Sequence, residues 1–578
     1  MRKLPVIPLL IIALSLALVM PFLGHSQLFD WDEINFAECA REMMVTGDYT
    51  TVQINFEPFW EKPPLFIWMQ VLCMKVFGVN EFAARLPNAI GGIVTLLVLW
   101  RLGRRHFDRR FAALWVLVYA GSLLPQFYFH SGIIDPWFNL FIFLSIYQFL
   151  EYTSRFTDSP GLKLWDSNIM LSALFMGLAV LTKGPVALLV FGLCFVVYRI
   201  INRRRIMSWG HFMVYAGITA LVAGSWFAML AVRGGGHLVL EFILYQIRLF
   251  STEDAGHGGN FFYHWIVLLA GCFPASGFAV QAMFKRAADT PYERHQLRWM
   301  RIMFWVVLIL FSIVKTKIVH YSSLCYFPLT WLAAYTLYKL LDGRFALKRW
   351  VLVLVAVPGV LLSVALAVLP FIDRFKASLL ESGSVRDAFA AGNLQADGGW
   401  LGVEFLAGVL LFICLVAALV LMRRRMQTAV YLLFGSTLLV TASAAALFAP
   451  RVEKYSQDAA VQFWKSKARQ DVYVETIGYK SFAHYFYAQT KPVVKNNPAY
   501  LKWRNSMERP LPAGKSRSEF ETELQREWML KGDIDRPAFF VSKITREEEV
   551  KTYYPWLIKT NSKNGFVFWK RDPVLPVN

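Results

Sequence analysis

Charge is scarce in this chain. Charged residues fill only 17% of 578 positions, whereas 56% are hydrophobic and the mean hydropathy is +0.42. A soluble domain carries about a quarter charged residues, so a soluble protein is excluded. Acidic residues are the scarcer sign, 40 against 60 basic, for a net charge of +20. In a soluble chain that excess would point to nucleic acid. Here much of it sits in short connections such as Arg203-Arg204-Arg205, where it orients a membrane protein and meets anionic membrane lipids; no nucleic-acid partner is expected. The six cysteines show no CxxC spacing, which argues against a zinc ribbon or a dithiol redox motif. No internal repeat stands out, which weakens a transporter built from inverted repeats. Leu4 to Met20 is apolar like a signal peptide, but no clear small-residue cleavage site follows before Phe29 and Asp30. A retained first helix is expected.

What the chain has instead is about thirteen apolar runs of roughly 20 residues. With Arg2 and Lys3 in the cytoplasm, every second connection is basic, among them Arg101 to Arg110, Lys285 to Arg301 and Arg423 to Arg425. The expected fold is therefore an α-helical polytopic membrane protein of about thirteen spans over residues 1–450, with outer loops at 25–64 and 232–260. Phe66 to Phe77 is too short to span and reads as an interfacial helix anchored by Trp60 and Trp68. Glycines in the loop from Arg233 to Asn260 suit a lid. After Pro450 the composition turns polar, with strand-like runs at Asp471 to Thr476, Pro492 to Lys495, Pro537 to Ser542 and Gly565 to Lys570 around a helical pattern from Ser516 to Lys531. Residues 451–578 are expected to form a small outward α/β domain.

The connections on the side without arginine clusters collect the chemistry. Asp32 and Glu33 open a helical pattern over Ile34 to Val45, so Asp32 reads either as an N-cap or as a carboxylate kept ionised by the helix dipole. Glu38 and Arg41 have the spacing of a local salt bridge. Glu61-Lys62-Pro63-Pro64 sets an acid and a base side by side on a rigid turn, where Lys62 either meets a lipid phosphate or snorkels to ordinary headgroups. Asp135, followed by Pro136, suits a helix N-terminus. Lys183 precedes Gly184-Pro185, a turn signal between two apolar runs. Arg248 either forks onto a phosphate or pairs with Glu253. Lys315, Lys317, His320 and Tyr321 crowd one stretch, as an anion site or an interfacial belt would. Glu61 and His257 are a weak candidate metal pair, without paired-histidine spacing.

These parts suit displacement at an anomeric carbon whose leaving group is a membrane-anchored phosphate: cations stabilise the departing charge and a carboxylate orients or deprotonates the incoming oxygen. A lipid transporter or flippase is the alternative outside enzymes. It would need polar groups through the membrane midplane, whereas the polar positions here gather at one face.

Trp31-Asp32-Glu33, Phe36-Ala37-Glu38, Arg41-Glu42-Met43, Gly47-Asp48, Phe59-Trp60-Glu61-Lys62-Pro63, Asp135-Pro136, Thr182-Lys183-Gly184, Arg248 with Asp254-Ala255-Gly256-His257, and Phe311-Ser312 leading to Lys315, Lys317 and Tyr321 run in one order along the chain. In these motifs the sequence resembles the C-type, polyprenyl-phosphate-dependent glycosyltransferases, and within them the lipid A aminoarabinose transferases. The resemblance implies thirteen transmembrane helices, a periplasmic C-terminal domain, a bacterial inner-membrane location and an undecaprenyl-phosphate sugar donor. It implies that Asp32 is the catalytic carboxylate with Asp135 beside it, that Lys62, Arg248 and Tyr321, with Lys317, hold the lipid phosphate, and that Glu33 and Lys183 support them. It makes Glu61 and His257 candidate ligands of a divalent metal, zinc or magnesium/manganese. The implied reaction moves 4-amino-4-deoxy-L-arabinose to lipid A, which confers resistance to cationic peptides such as polymyxin; a protein Ser/Thr or an envelope glycan is the alternative acceptor. The chain departs from the transferases at Ile34-Asn35-Phe36, where they carry Thr-Arg-Tyr, and at Phe59-Trp60, where they carry Tyr-Phe.

Overall fold

Within a bilayer, backbone groups find no water, so apolar runs close their hydrogen bonds internally as helices. The computed structural model describes residues 6–573 except 30, 60, 159–160, 204–205, 252–257, 285–288, 508 and 513–514, and the side chains at 157, 158, 245 and 248–251 also fall outside the description. Among the described residues, five helices are long and apolar enough to cross a membrane: Glu81–His106, Trp209–Leu244, Pro291–Ile313, Arg349–Glu381 and Met426–Tyr455. Two bent pairs, Arg109–Ala120 with Leu123–His130 and Tyr263–Gly271 with Ala275–Phe284, turn by 78° and 116° and raise the number to seven. Others of the expected spans fold as shorter apolar helices, including Ser167–Lys183, Val186–Asn202 and Phe405–Leu421.

The apolar runs over 111–129 and 261–284 are thus both broken. At the first break Gly121 is pressed against the helix Met426–Ser443: a Cβ there would lie 2.5 Å from the Phe434 carbonyl oxygen. The loop expected at 233–260 is largely helical too, as Gly236–Ser251. It continues from Trp209–Leu230 through a wide turn in which Gly234 takes φ 84°. The glycines therefore mark a joint between two helices.

Leu65–Phe77 is a helix, as expected. The Trp68 indole donates to the Tyr49 carbonyl at 2.7 Å, and Trp60 lies outside the described residues. In the first long loop, the helix Asp32–Thr46 ends on Gly47 at φ 72°, a left-handed cap that glycine adopts without strain. It is followed by the hairpin β1 (Gln53–Ile54) and β2 (Glu57–Pro58). Glu42 grips the hairpin turn by accepting from the backbone N–H groups of Asn55 and Phe56, both at 2.7 Å.

Toward the C-terminus, β3 (Tyr473–Ile477), β4 (Ala538–Lys543), β5 (Ile558–Lys563) and β6 (Phe566–Arg571) form one sheet in the order β3-β4-β6-β5, parallel between β3 and β4 and antiparallel elsewhere. Pro492 to Lys495, expected as a strand, is a turn; proline lacks the N–H that a sheet ladder requires. The strand missed from the sequence is β5, exposed at every position, so it carries no alternation of buried and solvent-facing residues. The helix Arg517–Lys531 starts with a reciprocal cap between Ser516 and Glu519.

Part of the sheet packs within the C-terminal unit, where Tyr473, Phe540 and Trp569 meet Trp528, and the rest shares its core with the first loop. Val474, Val541, Phe566 and Phe568 pack in one apolar cluster with Ile34, Ala37, Ala40 and Met43 of the first loop helix. Polar clamps cross the same seam: Arg41 donates to the Thr490 carbonyl at 2.7 Å, and the Leu28 N–H to the Tyr487 hydroxyl at 2.8 Å. All six cysteines are free.

Candidate active site

The helix Asp32–Thr46 enters on Trp31, whose φ of 80° is unusual for so bulky a residue. Backbone held there stores about 1–3 kcal/mol of strain. Trp31 rather than Asp32 is the N-cap, and its side chain makes no capping hydrogen bond. Asp32 is its first residue and Glu33 its second, and the two point to different tasks.

Glu33 turns inward. Its carboxylate pairs with Arg85 at 2.8 Å, each side chain 1% exposed, and accepts from the N–H groups of Phe29 and Gly132. The Arg85 guanidinium spends its other hydrogens on the carbonyls of Leu23, Ser26 and Gln27. This pair fastens the loop that carries Asp32 to the helix Glu81–His106.

Asp32 keeps 26% of its side chain accessible. His320 Nε2 lies 3.2 Å from Asp32 Oδ2 and 3.8 Å from Asp135 Oδ2, bridging two carboxylates that belong to distant parts of the sequence. Lys183 Nζ donates to Asp135 Oδ1 at 2.7 Å. Lys183 arrives at this point because its helix stops there: Gly184 takes φ 99°, and a Cβ on it would meet the Phe242 ring at 2.9 Å. Lys183 thus sits at a tight helix end and also reaches Asp135. Burial pushes the Asp32 carboxyl up, but the hydrogen bond and charge of His320, then the charges of Lys62 and Lys183, outweigh it and hold the group well below the usual carboxylate range.

A narrow cavity of about 80 Å³ opens beside the cluster, lined by Lys62, Asp135, Lys183, Gln246 and Tyr321. The Tyr321 ring sits 5.3 Å from Lys183 Nζ and packs on Phe311. The structure thus brings together Asp32, Asp135, Lys62, Lys183 and Tyr321. Lys317 has a different position: its ammonium donates to the carbonyls of Phe311, Ser312 and Val314 at 2.9, 2.7 and 2.5 Å, closing the end of the helix Pro291–Ile313. Three protons on three carbonyls use the group's full donor capacity, so the structure gives Lys317 a capping task where the sequence suggested a phosphate ligand. Arg248 falls on the helix Gly236–Ser251, which also supplies Gln246, but its side chain is outside the described set.

Next to Lys62, Glu61 lines a second cavity of about 580 Å³ between the β1–β2 hairpin and the C-terminal unit. The ammonium of Lys480 lines it too and lies 5.6 Å from the Trp31 ring. His257, the other candidate metal ligand, lies outside the described residues. Among the described residues no three His, Cys, Asp or Glu side chains gather as a metal shell.

The residue that the sequence left unassigned is His320. It stood there as one cation of a crowded stretch, and a lone histidine has no spacing that announces its partners. Only the fold brings it between Asp32 and Asp135.

Two carboxylates bridged by an imidazole, facing cations over a slot, is an arrangement that other folds can also make. ArnT from Cupriavidus metallidurans bound to undecaprenyl phosphate superposes with a TM-score of 0.72 over 97% of both chains, at 20% identity, and its apo state with 0.70 at 18% identity. The chain has the ArnT fold. Its sequence also resembles curated undecaprenyl phosphate-α-4-amino-4-deoxy-L-arabinose arabinosyl transferases: that of Aeromonas hydrophila is 29% identical over 357 residues, 60% of this chain and 63% of the relative. The one from Shewanella sediminis is 28% identical over 59% of this chain and 60% of its own length. The match thus spans about three fifths of those relatives. The model of the dolichyl-phosphate-mannose-protein mannosyltransferase family matches residues 61–228. The resemblance read from the motifs is to this ArnT-like group, and fold and sequence agree on it.

Proposed function

We propose that the protein is an integral-membrane glycosyltransferase that moves 4-amino-4-deoxy-L-arabinose from undecaprenyl phosphate to lipid A at the outer face of a bacterial inner membrane. The observation that carries this reading is the cluster of Asp32, His320, Asp135 and Lys183 at the mouth of the slot lined by Lys62 and Tyr321. The reading includes about thirteen spans, a division near residue 450, and a periplasmic placement of both the site and the α/β unit; the alternation of basic connections supports it.

In this reaction the acceptor oxygen forms a bond to the anomeric carbon of the sugar while the bond from that carbon to the phosphate oxygen breaks. The electron pair leaves with the lipid phosphate. Lys62, Lys183 and the Tyr321 hydroxyl receive the charge that grows there, and the motif resemblance adds Arg248 to this group. Fixed donors aimed at developing charge are among the strongest catalytic contributions. A lipid A phosphate is already anionic near neutral pH and has little proton to give up. Asp32, kept ionised by its neighbours, then serves to orient the acceptor and to balance the positive charge that builds on the sugar. The larger cavity admits the acceptor, and Lys480 offers its phosphate a cation one residue from Asp32. A divalent metal held through Glu61 and His257 would add charge near the phosphate; the steps above rest on the organic cations.

Lys62→Ala is expected to weaken donor binding by about 2 kcal/mol, measured with undecaprenyl phosphate on the purified protein; unchanged affinity would remove Lys62 from the donor site.

The acid limb of activity carries a second expectation. The carboxyl of Asp32 is depressed in the folded protein below its unfolded value. Its contribution to stability is therefore present above about pH 4 and is lost as pH falls through the folded value. His320→Asn removes the partner that does most of the lowering. The acid limb of kcat/KM should move up in pH in that variant, and an unshifted limb would separate His320 from Asp32.

Mass spectrometry of lipid A and of envelope proteins from cells with and without the gene tests the function itself. Loss of an aminoarabinose mass from lipid A supports the reading; loss of a hexose from a protein, with lipid A unchanged, overturns it in favour of a protein acceptor.

A further inference from the structure

A roomy cavity lies far from the Asp32 cluster. It is a groove of about 940 Å³ between the helices Val186–Asn202 and Pro291–Ile313. Its walls are aliphatic for most of their length, with Val197, Ile201, Ile309 and Ile313 among them, and Ile201 and Ile313 are 52% and 70% exposed. Only one end is polar. There Arg294, Arg298 and Arg301 line the groove, one helical turn apart in succession.

The carboxylates of this neighbourhood are engaged elsewhere. Glu293 and Asp289 pair with Lys339, Asp289 also with Arg344, and Glu151 accepts from Tyr292. Among the described residues, neither Arg294 nor Arg298 makes an ion pair; the bond of Arg298 is to the neutral side-chain oxygen of Asn202. Arg301 reaches the Ala282 carbonyl. The helix Val186–Asn202 adds the exposed Arg199 at the same end. A cationic mouth on an apolar trough is complementary to an amphiphile with an anionic head and hydrocarbon tails.

We infer that this groove is a binding site for an anionic two-chain glycerophospholipid, its phosphate at Arg294 and Arg298 and its acyl chains along Val197, Ile309 and Ile313. Arg294 and Ile313 are separated by about 28 Å along the helix axis, close to the hydrocarbon thickness of a bilayer. The arginines are at the end of the helix opposite Lys317 and the Asp32 cluster, so the lipid belongs to the leaflet away from the reaction. A sugar donor seated here would hold its anomeric carbon a membrane's width from Asp32. The groove is also far roomier than the slot of about 80 Å³ at the reaction site. Its occupant is a lipid that stays with the protein and ties the two helices together. The inference does not depend on which sugar or acceptor the enzyme uses.

The test is thermal unfolding of the full chain in mixed micelles, with phosphatidylglycerol, phosphatidylcholine or undecaprenyl phosphate added, for the wild type and the double variant Arg294→Gln/Arg298→Gln. Phosphatidylglycerol should stabilise the wild type more than phosphatidylcholine does, and the double variant should need about tenfold or more phosphatidylglycerol for the same shift. Undecaprenyl phosphate should stabilise both proteins alike, which also shows that the variant is folded. Equal responses of the two proteins to phosphatidylglycerol overturn the site. If undecaprenyl phosphate instead loses its effect in the variant, the groove belongs to the carrier lipid and the glycerophospholipid assignment fails.

Discussion

Asp32→Asn should lower sugar transfer by about a hundredfold to a thousandfold, the size of losing one preorganised electrostatic contact to the transition state, while affinity for undecaprenyl phosphate stays near the wild-type value. The two readouts separate because Asp32 is not among the residues that line the slot, whereas Lys62, Lys183 and Tyr321 are. The amide keeps the shape of the side chain and removes its charge, so a fall in rate reports on charge. His320, 3.2 Å away, then loses its closest anionic neighbour but retains Asp135 at 3.8 Å. Single-turnover transfer with a saturating donor is the measurement. Full activity in this variant would take the carboxylate out of the reaction and leave the cations to do the chemistry alone.

The second large effect is on stability. Glu33→Ala strands the Arg85 guanidinium in a pocket where it is 1% exposed, and breaking a buried pair from one side costs about 3–5 kcal/mol. The N–H of Gly132 and that of Phe29 lose their acceptor in the same step. The loop bearing Asp32 should loosen, so both unfolding temperature and activity fall. Removing both charges with Glu33→Ala/Arg85→Met should destabilise less than the sum of the single changes, because no buried charge is left unpaired. Chemical unfolding in detergent gives both numbers. A loss below about 1 kcal/mol for Glu33→Ala would mean that water reaches Arg85 and that the pair is not a fastening.

Much of the site was legible in the sequence because its members punctuate apolar runs. Asp32, Lys62, Asp135, Lys183 and Tyr321 are each conspicuous for that reason, and the fold gathers them. What a residue touches once it arrives was not legible. Lys317 lies in a cationic stretch with Lys315, His320 and Tyr321, yet it is drawn to three carbonyls at a helix end, and where a helix stops depends on tertiary packing. His320 gains its meaning only from two carboxylates, one far upstream of the other.

The fold shows the same limit. Runs were visible, but bends were not, since the break at Gly121 reflects a helix pressing from another part of the chain. The helix Gly236–Ser251 was hidden by the glycines before it. Its apolar residues Leu238 and Phe242 are four apart, as one helix face requires, and both are buried, a signal that composition alone obscured. Strand β5 is held by its partner β6 rather than by any hydrophobic pattern of its own.

The apolar seam joining the sheet to the first loop helix has a practical corollary. A fragment made of the C-terminal unit alone would present Val474, Phe566 and Phe568 to solvent, a bare surface of the kind that drives self-association. Attempts to express it as a free-standing reagent should yield aggregates. In the intact protein the same dependence means that a protease clipping the tail would disarm the proposed reaction centre without touching it.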